Sequence, residues 1–278
     1  MRAAAVSHGF VRDVETDFAY VAALIERARA AGVELLVLPE AALGGYLGSL
    51  GDDPLSAGLP PALALDGPEI ARLAALAGDM VVCAGLAEAS PDGAAYNTAV
   101  CVSGDGLLGV HRKVHAPLNE GAAYAQGSCF EAFDTPVGRL GMAICYDKAF
   151  PESARTLALD GAEVLCLLSS WPLSRTNRAP RMEDDRQVRM FDLYDQARAV
   201  ENQMYVVSAN QWGTFGELTL LGRAKCVSPS GEVLATTGCA PGLAVADLDI
   251  GLVRRTRSGG MGHLRDLRPD AYAVSVHA

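Results

Sequence analysis

A chain of 278 residues can bury a large core, and a single domain is enough to hold it. Half of the residues are hydrophobic and a fifth are charged, the composition of an ordinary globular protein. The formal net charge of −10 argues against a nucleic-acid surface, and no apolar run approaches the roughly 20 residues of a membrane span, so neither nucleic acid nor membrane is an expected partner.

Residues 2–6 read as a short strand. No long apolar region follows, so no signal peptide is expected. Thr16 is placed to cap a helix running to about residue 31, with Val21, Leu24, Ile25 and Ala28 on one face and Gly32 as its stop. Residues 33–38, apolar apart from Glu34, read as a strand buried on both faces that ends in Pro39-Glu40. Residues 44–61 are loop, 68–77 a helix with proline at its start, and 80–86 a strand. Strands at 95–102 and 107–113 are joined by Ser103-Gly104-Asp105-Gly106, a hairpin signal. The run Gly104-Asp105-Gly106-Leu107-Leu108-Gly109 matches a dinucleotide fingerprint in letters only, because a strand follows where a helix is required.

Polar loop then extends to residue 128. Strands are expected at 129–133 and 138–144, a helix at 150–159, and a buried strand at 164–168 that ends in Ser169-Ser170-Trp171-Pro172. The stretch 173–192 carries Arg175, Arg178, Arg181, Arg186 and Arg189 among Glu183, Asp184, Asp185 and Asp192, and leads into a helix ending near Asn202. Its plain reading is a solvated face of mixed charge, and its functional reading is a lid or subunit contact. Strands at 204–209, 220–227, 233–236 and 243–249 close one domain, 1–250. The tail, 251–278, is polar and expected on the surface or against a partner. The architecture is α/β, with sheets covered by helices.

Cys83, Cys101, Cys129, Cys145, Cys166, Cys226 and Cys239 are odd in number and lie mostly in apolar runs. They read as reduced thiols of a cytoplasmic protein. No Cys-x-x-Cys pair or histidine cluster suggests a metal site, and no cofactor is expected.

Three apolar strands end in one reactive side chain each: Glu40, Lys113 and Cys145. Each has a plain alternative, as a turn cap, a solvated strand end and a core thiol. Together they supply a base, a cation and a nucleophile, the set required for acyl transfer through a thioester. An ordered series of motifs joins them. It comprises Leu38-Pro39-Glu40 with Gly45-Tyr46, Tyr96-Asn97-Thr98-Ala99-Val100, Arg112-Lys113-Val114-His115, and Glu120 with Gly127. Next come Gly141-Met142-Ala143-Ile144-Cys145-Tyr146-Asp147 with Phe150-Pro151-Glu152, Arg198-Ala199-Val200-Glu201-Asn202-Gln203, and Ser228-Pro229-Ser230-Gly231-Glu232. The chain, from about residue 2 to residue 249, resembles the nitrilase superfamily of carbon–nitrogen hydrolases.

The resemblance implies a four-layer αββα sandwich and a triad of Glu40, Lys113 and Cys145, with Glu120 as the second glutamate of the family. It also implies dimers formed sheet-to-sheet through helices, hence a homodimer or larger homo-oligomer. On chemical grounds the Lys113 ammonium should lower the thiol pKa and face developing negative charge. Glu40 can take the thiol proton, pass it to the leaving amine and then activate water. The Tyr146 backbone N–H is the natural second donor to an oxyanion, and Trp171 is a candidate for the substrate wall. Lys148 lies near the place where relatives acting on N-carbamoyl amino acids carry a carboxylate-binding arginine. It is a candidate for substrate binding, against the plainer reading of a solvent-facing lysine.

The expected reaction is hydrolysis of a small linear amide or N-carbamoyl compound. Tyr146-Asp147 followed by Phe150-Pro151-Glu152 resembles the amidase and carbamoylase branches, whereas nitrile-cleaving relatives more often carry Trp-Glu after the cysteine. The alternatives are a nitrilase and, in another class, an inactive scaffold on the same fold.

Overall fold

The computed structural model describes residues 1–55 and 58–272. The first half of the chain contains β1 (Arg2–His8), α1 (Val14–Ala30), β2 (Leu35–Val37), β3 (Ala62–Leu63), α2 (Pro68–Ala77), β4 (Val81–Ala89), β5 (Ala95–Ser103) and β6 (Gly106–Arg112). The second half contains β7 (Phe133–Thr135), β8 (Gly138–Ile144), α3 (Pro151–Leu159), β9 (Val164–Ser169), α4 (Arg186–Asn202) and β10 (Tyr205–Phe215). It closes with β11 (Leu218–Leu221), β12 (Lys225–Val227), β13 (Val233–Thr236), β14 (Gly242–Asp247) and α5 (Ile250–Ser258).

The strands run in the order β6-β5-β4-β2-β1-β10-β9-β8-β7. The strand order crosses from one half to the other where Ser7 pairs with Asn210 and His8 with Gln211, while β14 lies antiparallel along β1 from Arg2 to Ser7. At that narrow seam the sheet folds into two facing layers.

Side-chain alternation then sorts the core. Ala3, Ala5, Leu35, Val37, Val81 and Cys83 turn inward and meet Met142, Ile144, Cys166, Leu168 and Val207 of the opposing layer. Their sequence neighbours Ala4, Val6, Leu36, Val82 and Ala84 turn outward under Val21, Leu24 and Ile25 of α1 and Ile70 and Leu73 of α2. On the far side Ala143, Leu165, Leu167 and Val206 pack under Ala154 and Leu157 of α3 and Ala199 of α4. Each fully buried leucine or isoleucine contributes about 2 kcal/mol of hydrophobic stabilisation. The result is the expected αββα sandwich. Strands apolar on both faces demanded it, because each face had to be covered.

Four local expectations change. The expected strand at 220–227 is divided into β11 and β12, with residues 222–224 outside either strand. The cap of α1 is Asp13, whose carboxylate accepts from the Thr16 N–H at 2.8 Å and from its hydroxyl at 2.6 Å. Thr16 sits inside the helix as a donor to the cap. The expected strand at 129–133 begins only at Phe133, because Phe130 turns in to stack on His111 and His115 instead of alternating. The tail opens as α5, which docks Val253 into the central core, sets Arg254 2.7 Å from Glu163 and donates from Arg257 to the Ala162 carbonyl at 2.7 Å. Val253 is the fully buried residue of this charged helix, with Ile250 and Leu252 partly buried against the same core. The tail beyond residue 272 lies outside the described residues, as do residues 56 and 57 of the expected loop.

Candidate active site

Glu40 lies just beyond β2, and the neighbouring strand holds it there. The Leu38 N–H donates to the Cys83 carbonyl at 2.8 Å, and the Gly85 N–H donates to the Pro39 carbonyl at 3.2 Å. Gly85 is required at that point, because a Cβ on it would stand 2.6 Å from the Glu40 Cα. Lys113 follows β6 directly, its N–H donating to the Asn97 carbonyl at 2.8 Å. Glu120 opens a short 3₁₀ turn, Glu120–Ala122. Cys145 follows β8 and opens another, Cys145–Ala149, with a φ of +49°, a left-handed conformation that non-glycine residues seldom adopt.

The folding brings these side chains together under cover. Lys113 Nζ donates to Glu40 Oε1 at 2.7 Å and to Glu120 Oε1 at 2.9 Å, and all three groups are buried. Glu120 Oε2 stands 2.8 Å from the same ammonium, at an angle too poor for a good hydrogen bond. Asn97 Nδ2 bridges the two carboxylates, at 2.7 Å from Glu40 and 2.9 Å from Glu120. The Tyr46 hydroxyl donates to Glu120 at 2.8 Å, and the Ser170 N–H donates to Glu40 Oε2 at 2.6 Å. Sequence reasoning quoted Tyr46, Asn97 and Ser170 as neighbours without giving them a part. The available signal was an amide side chain, Asn97, inside the β5 strand, where a buried polar group needs partners.

Burial alone would strip the Lys113 proton, but the facing carboxylates of Glu120 and Glu40 outweigh it and hold its pKa well above the usual lysine value. Burial lifts Glu120 above the ordinary glutamate range, with Lys113 opposing and Glu40 adding to the rise. Cys145 departs from expectation. Burial and the Glu40 charge push its thiol well above the usual cysteine value, and the opposing effect of Lys113 is too small to reverse them. Burial and the Glu40 charge thus both favour the protonated thiol of Cys145 over its thiolate.

The turn that carries Cys145 is fastened by Asp147, a residue to which the sequence reading gave no role. Its carboxylate accepts from the Ile144 N–H at 3.0 Å, from His111 Nε2 at 3.0 Å, and from the N–H and Nδ1 of His115 at 2.9 and 2.8 Å. Burial opposes ionisation there, but the hydrogen bonds from His111 and His115 prevail and hold the pKa well below the carboxylate range.

Cys145 opens onto a cavity of about 220 Å³. Tyr46, Leu50, Leu118, Tyr146, Trp171 and Pro172 form much of its wall, with Gln187 holding the Trp171 indole N–H at 2.9 Å. Trp171 and Tyr146 thus stand where a substrate would lie.

Lys148 does not line this cavity, and the solvent-facing reading is overturned. It is completely buried. Its ammonium is 2.6 Å from Asp195 and 3.3 Å from the centre of the Phe191 ring. Lys225 meets the other Asp195 oxygen at 2.8 Å and the other side of the cluster at Phe191, 4.0 Å away. Burial, partly offset by Asp195, brings the Lys148 pKa down to about 8. The 3₁₀ turn after Cys145 places Lys148 inward against α4, where Asp195 compensates its charge.

The stretch 173–192 divides. Residues 173–185 form a loop beside the cavity, and α4 begins at Arg186 behind an Asp185 cap. Arg181 lies among Glu183 and Asp184 at 3.9 and 3.6 Å, the expected solvated arrangement.

Over 64% of its length the chain is 35% identical to a probable nitrilase of Schizosaccharomyces pombe, a match spanning 61% of that protein. It is 29% identical to an N-carbamoylputrescine amidase of Solanum tuberosum, over 98% of this chain and 93% of that one. The fold superposes on a carbon–nitrogen hydrolase from Helicobacter pylori G27 with a TM-score of 0.84 and 27% identity, covering 98% of this chain and 96% of that one. The family model described as carbon-nitrogen hydrolase matches residues 2–258, and the chain belongs to that family of enzymes.

Proposed function

We propose that the protein hydrolyses a small linear amide or N-carbamoyl compound through a thioester on Cys145, releasing ammonia or an amine. The observation that carries this reading is the buried Glu40–Lys113–Glu120 cluster beside a cysteine that opens onto a small apolar-walled cavity.

The Cys145 sulfur attacks the amide carbon while its proton passes to Glu40, and the carbonyl becomes an oxyanion facing Lys113 and the Tyr146 N–H. The oxyanion collapses, the C–N bond breaks, and the leaving nitrogen takes the proton from Glu40. Water then attacks the thioester, giving one proton to Glu40. The acid departs, and the sulfur recovers that proton. Glu120 keeps Lys113 in place, and Tyr46 and Asn97 keep Glu120 in place. Proximity and burial support the parts given to Glu40, Lys113, Glu120, Tyr46 and Asn97.

Amides are expected to outrun nitriles. Attack on an amide gives an oxyanion that Lys113 can face directly, whereas a thioimidate from a nitrile needs its nitrogen protonated. The same side chain presented as primary amide and as nitrile tests this, with kcat/KM measured for both, and consistently faster nitriles would refute it. The covalent step is tested by intact-mass spectrometry during turnover. An acyl adduct on Cys145 is expected, and Cys145→Ala should lose turnover by several orders of magnitude while keeping its fold. Wild-type-like turnover by Cys145→Ala would remove the whole assignment. The cytoplasmic, homo-oligomeric state belongs to the same proposal, supported by the unpaired thiols and the family likeness.

A further inference from the structure

Glu40 presents two unequal oxygens to the site. Oε1 accepts from Lys113 Nζ and from Asn97 Nδ2, both at 2.7 Å. Oε2 accepts from the Ser170 N–H at 2.6 Å. Two donors fill the lone pairs of Oε1, whereas Oε2 keeps one lone pair for a proton. The same Ser170 N–H reaches the Cys145 sulfur, and Cys145 and Ser170 line one cavity. The Ser170 peptide therefore stands where base and nucleophile meet.

The sheet does not hold that peptide by itself. Strand β9 ends at Ser169, which faces Asn210 across the ladder. Beyond this point the Asn210 side chain takes over from the ladder. Its Oδ1 accepts from the Trp171 N–H at 2.7 Å, and its Nδ2 donates to the Trp171 carbonyl at 3.3 Å and to the Gly222 carbonyl at 2.8 Å. Both polar atoms of a fully buried side chain are thus engaged, and the chain from Ser170 to Pro172 is fixed. The next residue of β10 holds the other partner. Gln211 Nε2 donates to the Glu40 carbonyl at 2.8 Å, and the Ser170 hydroxyl donates to the same carbonyl at 3.1 Å. Asn210 and Gln211 are the residues that pair with Ser7 and His8 where the strand order crosses between the halves. Glu40 belongs to one half and Ser170 to the other, so this crossing sets one against the other.

We infer that Asn210 is a positioning residue for the reaction: by holding the N–H and the carbonyl of Trp171, it keeps the Ser170 N–H on Glu40 Oε2 and so turns that oxygen to the Cys145 thiol. The inference rests on the amide-hydrolase reading above and adds to it a residue that acts through another. Loss of the Asn210 side chain frees the Ser170–Trp171 peptide to rotate, and the base loses its aim while its charge and its bonds to Lys113 and Asn97 remain.

The test compares Asn210→Ala with wild type on a short primary amide, with rates expressed per folded molecule from near-UV circular dichroism, so that lost stability cancels. A misplaced base is expected to lower kcat by about a hundredfold, with the smaller effect on KM. Asn210→Ser keeps a polar group too short to span both ends of Trp171. It is expected to behave in the same way, and it decides the matter if the alanine variant does not fold. A loss in kcat of less than about tenfold per folded molecule overturns the positioning role and leaves the amidase reading standing. A loss expressed mainly in KM assigns Asn210 to the Trp171 wall and overturns it too. A wild-type enzyme that releases no ammonia from a panel of short primary amides overturns the amidase reading, and the inference with it.

Discussion

Asp147→Asn tests whether the turn that carries Cys145 is held in place by a charge. The carboxylate accepts four hydrogen bonds, two on each oxygen, from Ile144, His111 and His115. Hydrogen bonds to a charged acceptor contribute about 1.5–3 kcal/mol each. Asparagine keeps the shape but has one accepting oxygen, so two donors lose their partner and face an NH₂ group in a dry site. The expected loss is about 4 kcal/mol in unfolding free energy at pH 7, read from urea titrations. The sign with pH follows from the depressed pKa of Asp147. Its contribution is complete above the unfolded value of about 3.9 and is lost as pH falls through the lower folded value. At pH 3 the gap between wild type and variant should narrow by about 1 kcal/mol, because the unfolded carboxyl is by then largely protonated. The left-handed backbone at Cys145 depends on the same turn, so alkylation of Cys145 by iodoacetamide, followed at peptide level, should also change in rate. An unchanged urea midpoint together with an unchanged alkylation rate would refute the reasoning.

Glu120→Gln removes a carboxylate from Lys113 and should lower kcat by about a hundredfold or more with the best amide, and a wild-type rate would remove Glu120 from the chemistry. Lys148 has a folded pKa of about 8 against about 10.4 unfolded, so the unfolded chain binds the extra proton between those values and this group makes stability rise with pH across that window. Wild type should therefore gain about 3 kcal/mol relative to Lys148→Met between pH 7.5 and 10.5, and a constant difference in chemical denaturation over that range would contradict the buried, Asp195-paired state.

How much of this was legible in the sequence follows from the kind of signal each feature leaves. Apolar runs such as 35–37 and 164–168 reveal buried strands because both faces must be covered, and the layered fold follows. Residues at strand ends are legible for the same reason: Glu40, Lys113 and Cys145 interrupt apolar runs, and the fold brings Glu40 and Lys113 to 2.7 Å. What escaped was pairing across long separations between polar residues. The Lys148–Asp195 contact joins positions 47 apart, and neither residue carries a local pattern that announces the other. Tyr46 and Glu120 are 74 apart. The Asp147 clamp was hidden differently: apart from the nearby Ile144 N–H, its donors are His111 in another strand and His115 in the loop after it, so the residue looked like an ordinary turn aspartate. The tail helix escaped because its run of arginines made the whole segment read as polar, although Val253, with Ile250 and Leu252, packs on the core.

The high pKa of Cys145 looks like a defect in a nucleophile, yet it suits the proposed chemistry. A thiolate held at rest would add a negative charge to a buried site that already contains Glu40 and Glu120 against a single Lys113. Such a charge is costly away from water. With a neutral thiol, the attack moves the sulfur proton to Glu40 in the same step that places a negative charge on the carbonyl oxygen. The carboxylate loses a charge as the oxyanion gains one, so the total charge of the pocket is constant throughout. Lys113 then needs only to shift its attention between two oxygens already close to it, and no ion has to be created or solvated. The tight packing that raises the thiol pKa is thereby also what makes proton transfer to Glu40 the favourable way to form the intermediate.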